Sequence, residues 1–138
     1  MKEKFTLKKN ERLKSRKRIE QLFREGEHFF LHPFKVHFSF SPFKNDRRGS
    51  ILQTGIGVNT RHFKKAVDRN RIKRVTRESY RLQKNILIAF LQQRDLSLDL
   101  FLVYVAKEMP DYWMLNEKLR LILGKLEQQI NENYTKYS

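Results

Sequence analysis

The clearest pattern in the chain is an alternation of apolar and polar residues over residues 34–40, which Pro42 follows. A period of two predicts a β-strand with one face in a hydrophobic core, because successive side chains point to opposite faces of a sheet. The residues predicted to face the core are Phe34, Val36, Phe38 and Phe40. Those predicted on the opposite face are Lys35, His37 and Ser39.

Two further stretches predict strands. Residues 51–58 predict the second strand, in which Gly55 and Gly57 share one face. Glycines inside a strand indicate either a close approach of another group to the backbone or a bulge, and the sequence favours neither. The nearly continuous apolar run over residues 98–105 predicts a central strand that is buried on both faces.

Helical periodicity predicts elements at both ends of the chain. Ser15 is a suitable N-cap for a first helix that ends at Gly26, and residues 1–10 are predicted to form a flexible basic arm before it. The residues of this helix predicted to share one face are Ile19, Leu22 and Phe23. The last helix has an apolar stripe made of Leu115, Leu119, Ile122, Leu123, Leu126 and Ile130.

Between the second and third strands, a basic helix is predicted from about residue 64 to residue 93. Its predicted buried stripe consists of Ile72, Val75, Ser79, Leu82 and Ile86. Its predicted cationic face consists of Asn70, Lys73, Arg74, Arg77, Arg81 and Lys84. Few acids are interleaved, so salt bridges along the helix do not account for the charge.

The order of elements is therefore αββαβα, and the polar stretch over residues 42–49 is a connection without a predicted role. This order predicts an α+β fold: a small αββαβα sandwich in which helices cover a central, mainly antiparallel sheet. The length of 138 residues predicts that residues 1–138 form one domain.

The whole chain is strongly basic, because 30 Lys and Arg residues against 15 Asp and Glu residues give a formal net charge of +15. This surplus predicts a nucleic acid partner, since contacts with phosphates release condensed cations. A membrane is not predicted as a partner, because no apolar run approaches the roughly 18 residues that a span needs. The N-terminus lacks a secretory signal and the chain lacks cysteine, which suits a cytoplasmic protein.

Patterns typical of catalysis or metal binding are absent from the sequence. His28 and His32 have no third ligand at a recognisable spacing, so they do not predict a zinc site. The acids are scattered, whereas a two-metal nuclease needs convergent carboxylates, and no hydrolase motif occurs. The chain is therefore predicted to hold no catalytic residue, metal or cofactor of its own.

Residues 65–78, which contain Arg69-Asn70-Arg71, resemble the Arg-Asn-Arg motif region of the bacterial ribonuclease P protein component. Residues 55–58 resemble the family strand that leads into this motif, and residues 12–26 resemble the first helix of the family. The resemblance covers roughly residues 10–130. It implies the ribonuclease P protein fold, which ribosomal-protein domains share.

The resemblance implies that the chain is a subunit of an RNA-based enzyme. In the family, the RNA subunit removes the 5′ leader of precursor tRNA and binds most of the Mg²⁺, while the protein binds both RNAs. A monomeric protein in a 1:1 complex with ribonuclease P RNA is implied. The residues implied to bind that RNA are Lys64, Lys65, Arg69, Asn70, Arg71, Lys73, Arg74 and Arg77.

The resemblance also implies a cleft for the precursor leader between the first helix and the sheet, lined here by Ile19, Phe23 and His37. Rings and basic walls suit an extended single strand, because stacking tolerates any base. Family members often carry an aromatic residue where Ile19 and His37 stand, so Phe23 is expected to provide more of the stacking. The alternative that Ile19 and Phe23 only pack the helix onto the sheet is about as well supported.

Two alternative functions follow from the same composition. A structural RNA-binding protein, such as a ribosomal protein, has a similar size and charge. A protein-only nuclease is disfavoured because the acids are scattered along the chain.

Overall fold

The computed structural model describes residues 11–42 and 51–134. Its elements, in chain order, are helix α1 (Arg16–Glu25), strands β1 (Glu27–Leu31), β2 (Phe34–Pro42) and β3 (Leu52–Val58), helices α2 (Ala66–Arg81) and α3 (Lys84–Gln93), strand β4 (Leu96–Tyr104) and helix α4 (Tyr112–Tyr134). The predicted basic arm over residues 1–10 and most of the predicted connection over residues 42–49 lie outside the described residues.

The four strands form one sheet in the order β1-β2-β4-β3. β1 pairs with β2 and β2 pairs with β4 in antiparallel fashion, whereas β3 and β4 are parallel. A parallel pair needs a crossover connection, and here α2 and α3 provide it. The predicted α+β class and the mainly antiparallel sheet are confirmed.

Strand β1 was not predicted from the sequence. It forms a hairpin with β2 through a turn at His32 and Pro33, whose peptide bond is cis. The segment is only five residues long and has adjacent phenylalanines, so it lacks the alternation that marks β2. In the hairpin, His28 pairs with His37 and Phe30 pairs with Lys35.

The predicted single helix over residues 64–93 is wrong, because α2 and α3 are separate helices with a break at Leu82 and Gln83. The side-chain amide of Gln83 donates a hydrogen bond to Oδ1 of Asn116 in α4 at 3.0 Å. The hydroxyl of Ser79 donates to the same oxygen at 2.9 Å. These bonds from the end of α2 to α4 hold the chain at the position where the helix is interrupted.

The break also changes which side chains are buried. Ile72 and Ser79 are buried and Val75 is half-buried, as predicted, but Leu82 and Ile86 are 46% and 63% exposed. A helical period of 100° per residue holds only along one axis, so it does not extend across the interruption. The residues buried in their place are Thr76 and Tyr80 of α2 and Leu87 and Leu91 of α3.

The two faces of the sheet differ in character. One face packs against the three later helices, and its buried side chains include Phe34, Val36, Phe38, Leu98, Leu100 and Leu102. The opposite face, which α1 partly covers, is called the α1 face below. The predicted burial of β4 on both faces is wrong, because Asp99, Phe101 and Val103 lie on the α1 face and are only half-buried.

Helix α4 completes the core, and the whole predicted apolar stripe from Leu115 to Ile130 is buried. The ring of Phe29 in β1 packs edge-on against Phe38, at 5.7 Å between centroids. Among the described residues, no helix is both long and apolar enough to cross a membrane.

Candidate RNA interface

The first candidate surface is the cationic face of α2. Lys64, Lys65, Asn70, Arg71 and Arg74 are exposed, and Arg69, Lys73 and Arg77 are half-buried. A surface concavity of about 510 Å³ is lined by Val67, Asn70, Arg71, Lys73, Arg74 and Arg77. The guanidinium groups that line this concavity suit phosphate oxygens, because each one is always charged and presents a planar fork of N–H donors.

Arg69 differs from its neighbours on this face. Its Nη1 donates to the carbonyl oxygens of Phe63 at 2.9 Å and of Lys64 at 2.7 Å. The guanidinium therefore holds the loop that precedes α2. Lys65, the N-cap residue, makes no side-chain capping bond, so this loop depends on Arg69 for part of its order.

The predicted cationic face is shorter than its sequence suggested. Lys84 is buried, and its Nζ lies 2.7 Å from Oε2 of Glu11. Arg81 forms an ion pair with Glu78, at 3.2 Å. The unpaired cationic surface of the predicted helix therefore ends near Arg77, because Arg81 is paired with Glu78 at the surface and Lys84 is paired with Glu11 in the interior.

The second candidate surface lies where α1 packs on the sheet. The hydroxyl of Ser15 accepts from the backbone N–H of Arg18 at 3.4 Å and caps α1, and Gly26 ends the helix, as predicted. The Arg18 guanidinium donates to Gln53 of β3 and to Oδ1 of Asp99 of β4, the latter at 2.6 Å. This contact fixes α1 across two strands and sets the position of one wall of a cleft.

The ring of Phe23 lies 4.3 Å from the ring of His37 in β2, centroid to centroid. Ile19 is half-buried one helical turn before Phe23. The structure therefore brings together Phe23 and His37, and places Ile19 on the same side of α1. Phe23 is 45% exposed, so its contact with His37 leaves part of the side chain open to solvent.

Phe101 of β4 is a further member of this cluster that the sequence did not reveal. Its ring meets Phe23 edge-on at 5.2 Å between centroids. A Cβ atom on Gly55 would lie 2.4 Å from the Phe101 ring, and one on Gly57 would lie 3.0 Å from it. The two glycines therefore mark a close approach rather than a bulge, and they were the signal that a ring lies over β3.

Burial is the main cause that lowers the pKa of His37 below its ordinary value of 6.5, and the charges of Lys35 and His28 lower it further. The neutral imidazole is therefore favoured in the folded protein. The neutral His37 ring lies beside the Phe23 ring, which Phe101 meets edge-on, so aromatic groups without charge form this part of the cleft.

The two surfaces adjoin each other. A concavity of about 200 Å³ is lined by Arg12, Leu13, Lys14, Thr54, Gly55, Ile56 and Arg77. Gly55 also contacts the Phe101 ring, and Arg77 also lines the concavity on α2. A chain of basic and apolar groups therefore leads from the cationic face of α2 into the cleft.

Metal ligands are not grouped anywhere in the part of the chain that the structure describes. No cluster of three His, Cys, Asp or Glu side chains occurs there that could hold a metal ion. The exposed cations and rings of these two surfaces can bind and orient a polyanion.

A small α+β fold with a cationic helix beside an aromatic cleft is an arrangement typical of RNA-binding proteins. Within that class, the family model described as Ribonuclease P matches residues 7–127. The chain belongs to the ribonuclease P family. The family predicted from the Arg-Asn-Arg segment is confirmed.

Relatives across bacteria support the assignment. The chain is 35% identical over 108 residues to the ribonuclease P protein component of Porphyromonas gingivalis, covering 78% of this chain and 77% of the relative. It is 30% identical over 132 residues to that of Thermotoga petrophila, covering 92% and 99%. The structure of the RNase P protein from Thermotoga maritima matches with a TM-score of 0.61 and 29% identity, covering 83% of this chain and 96% of that protein.

Proposed function

We propose that this chain acts as the protein subunit of ribonuclease P, the RNA-based endonuclease that removes the 5′ leader of precursor tRNA. The cationic face of α2 binds the RNA subunit, and the cleft between α1 and the sheet binds the leader. The RNA subunit performs the chemistry, and the protein supplies affinity and orientation.

Charge and geometry support the role of α2. The net charge of +15 draws the protein toward any polyanion. Helix α2 presents Arg71 and Arg74 to solvent, and the segment that leads into it presents Lys64 and Lys65. The RNA-binding residues proposed there are Lys64, Lys65, Arg69, Asn70, Arg71, Lys73, Arg74 and Arg77. Arg69 has two functions in this proposal, since it also orders the loop before the helix.

The cleft suits a single strand of RNA. Phe23 offers an exposed ring, and His37 and Phe101 support it from below. Bases of any sequence stack on such a platform, which is what a subunit that must accept many leaders needs. Ile19, Phe23 and His37 are therefore the proposed leader-binding residues, with Phe101 added.

The strongest support for the proposal is a concavity of about 200 Å³ that Gly55, next to the cleft, and Arg77, on the cationic face, both line. A structural RNA-binding protein needs the cationic face alone. A cleft that opens directly beside that face lets one RNA bind α2 while a strand that leaves it enters the cleft.

Three finer points are part of the proposal. The strongly positive charge disfavours a cation site on the protein, so we assign the Mg²⁺ ions mainly to the RNA subunit and no cofactor to the protein. We expect one protein monomer per RNA subunit. The cytoplasmic location stays a prediction.

The test is cleavage of precursor tRNA at low Mg²⁺ by a bacterial ribonuclease P RNA, with and without this protein. We expect cleavage at the mature 5′ end only when both are present. Cleavage by the protein alone would show that it is itself a nuclease. Tight, salt-sensitive RNA binding without any stimulation of cleavage would favour a structural RNA-binding protein instead.

Phe23→Ala tests the proposed role of the cleft independently of the cationic face. Loss of a stacking ring weakens single-strand binding by about fivefold or more. We expect the preference of the holoenzyme for precursor over mature tRNA to fall by that factor, with assembly on the RNA subunit unchanged.

The matched control is Trp113→Ala in α4, because this ring is 74% exposed and belongs to neither surface. It should leave the preference unchanged. Equal losses of affinity for precursor and mature tRNA in Phe23→Ala would show that the cleft does not bind the leader.

A further inference from the structure

The α1 face of the sheet does not end at the cleft. Beyond His37 it continues onto the β1–β2 hairpin, where His28, Phe30 and Lys35 form what we call the distal surface. His28 pairs with His37 across the two strands, and Phe30 pairs with Lys35 two residues further along. Because alternate residues of a strand share a face, all four side chains lie on the side of the sheet that α1 contacts.

The rings form a continuous path. The His37 centroid lies 4.3 Å from Phe23 in the cleft and 5.8 Å from His28 on the distal surface. Phe30 follows His28 by two residues, a step of about 6.8 Å along a strand. One extended nucleotide of a single strand spans a step of this size, so successive bases match successive rings.

Phe30 is exposed in a way that packing does not explain. It is 60% exposed, and its ring contact is with His32, at 6.2 Å in the turn of the hairpin. Its neighbour Phe29 points to the other side and packs on Phe38 in the core. The hairpin therefore partly buries the Phe29 ring against the core and presents the Phe30 ring to solvent.

The charge on this surface suits RNA. Lys35 is exposed beside Phe30, and the other described side chains of β1 and β2 on the α1 face are histidines, serines and Phe30 itself. The acid of the hairpin, Glu27, is paired with Phe38 and so lies on the opposite face. A ring beside a lysine, without an acid on the same face of these two strands, matches a base and its phosphate.

The direction of the path follows from the position of α2. The RNA subunit holds the cleavage site and binds α2, and the cleft adjoins α2 at Gly55 and Arg77. A leader that comes from the cleavage site therefore reaches the cleft first. Its free 5′ end continues away from α2, toward the hairpin.

We propose that the distal surface binds the nucleotides of the leader that lie 5′ of those in the cleft, with one base stacked on Phe30 and its phosphate near Lys35. The inference rests on the proposed function, since it extends the path of the same strand. The affinity of the holoenzyme for precursor tRNA would then depend on the length of the leader as well as on its presence.

The test measures affinity of the reconstituted holoenzyme for precursor tRNAs whose leaders are lengthened one nucleotide at a time. In the unaltered protein, affinity should rise in two stages as the leader fills the cleft and then the distal surface. Phe30→Ala should abolish the second stage and weaken binding of long leaders by about fivefold or more. Phe30→Tyr retains a ring and should retain both stages.

Lys35→Gln should lower the salt dependence of binding for long leaders only, by about one unit of slope for one lost phosphate contact. Trp113→Ala is the control for loss of an exposed ring elsewhere. Phe30→Ala with unchanged affinity at every leader length, while Phe23→Ala still impairs binding, would overturn this inference and leave the proposed function intact. If neither variant has an effect, the cleft assignment itself is wrong.

Discussion

The cationic face of α2 and the cleft beside α1 are neighbours that are built in opposite ways. The face comes from one continuous segment, is rich in charge and stands on a single helix. The cleft takes Phe23 from α1, His37 from β2 and Phe101 from β4, and its character is apolar and aromatic. One surface therefore depends on local sequence, and the other depends on how distant segments meet.

This difference affects how each surface responds to change. Removal of an exposed charge from α2, such as Arg71 or Arg74, should alter binding but not folding, because exposed side chains contribute little to stability. Changes in the cleft should alter both, since its walls are also packing contacts.

The largest effect is expected for Lys84, which the sequence places in the basic segment but the fold buries against Glu11. Lys84→Met keeps the apolar stem but leaves the Glu11 carboxylate without its ammonium partner. We expect the free energy of unfolding to fall by about 3 kcal/mol, as when one partner of a buried ion pair is removed. Urea unfolding measures it.

Arg74→Ala is the matched control, because Arg74 is an exposed cation of the same basic segment. It should leave the unfolding midpoint almost unchanged. The double variant Glu11→Gln with Lys84→Met should recover much of the loss. A negligible effect of Lys84→Met would show that the pair is not maintained in solution.

Gly55→Ala tests the floor of the cleft. The added Cβ would lie 2.4 Å from the Phe101 ring, so the ring or the strand must shift. We expect a loss of about 1–3 kcal/mol in stability, which is typical of overpacking. The same shift should also weaken the preference for precursor tRNA.

The control for this variant is Gly124→Ala in α4, where an added Cβ meets nothing within 4 Å. A helix interior gains about 0.5–1 kcal/mol from this change. Phe101→Leu combined with Gly55→Ala should restore part of the lost stability. Additive losses in that double variant would argue against contact between the two residues.

Arg74→Ala tests the cationic face itself. We expect weaker binding of the RNA subunit and a salt dependence lower by about one unit of slope, corresponding to one lost phosphate contact. Arg69→Ala should lower binding as well, but it should also destabilise the loop before α2, because it removes two hydrogen bonds to carbonyl groups. Unchanged holoenzyme assembly in both variants would contradict the assignment of this face.

The smallest effect concerns the pH dependence of stability. The pKa of His37 is lowered from its ordinary value of 6.5, so the unfolded chain binds more protons than the native state just below that pH. The His37 contribution to the free energy of unfolding should therefore rise with pH through this window and be lost as the pH falls.

His37→Gln should flatten that dependence relative to His62→Gln, a histidine outside the cleft. Urea midpoints at about pH 5 and about pH 8 measure the difference. An identical pH profile in both variants would show that the imidazole is not desolvated by Phe23 and the sheet.

Much of the fold was predictable because it follows from patterns within single segments. The alternation of β2, the cap of α1 and the stripe of α4 all appear in the structure as expected. The predictions that were wrong or missing concern elements that depend on contacts with another segment of the chain. Strand β1 is defined by its pairing with β2. The break after α2 is stabilised by the hydrogen bond from Gln83 to Asn116 in α4.

The candidate site divides in the same way. The basic helix and the family were evident from the Arg69-Asn70-Arg71 segment. Phe23 and His37 lie together between α1 and the sheet, and their role in binding the leader stays a prediction. Phe101 was hidden inside an apolar run that suggested burial on both faces. Only its partners across the sheet show that it faces the cleft.

The basic charge, the family and most of the elements were therefore evident from the sequence, because helical and strand periods are properties of one stretch of backbone. Strand β1 and the break between α2 and α3 were not. The tertiary structure decided which charges remain exposed. Lys84 and Arg74 look alike in the sequence, yet one is paired inside the protein and the other faces solvent. It also decided which rings meet, since a contact between distant residues depends on strand register and on where α1 docks.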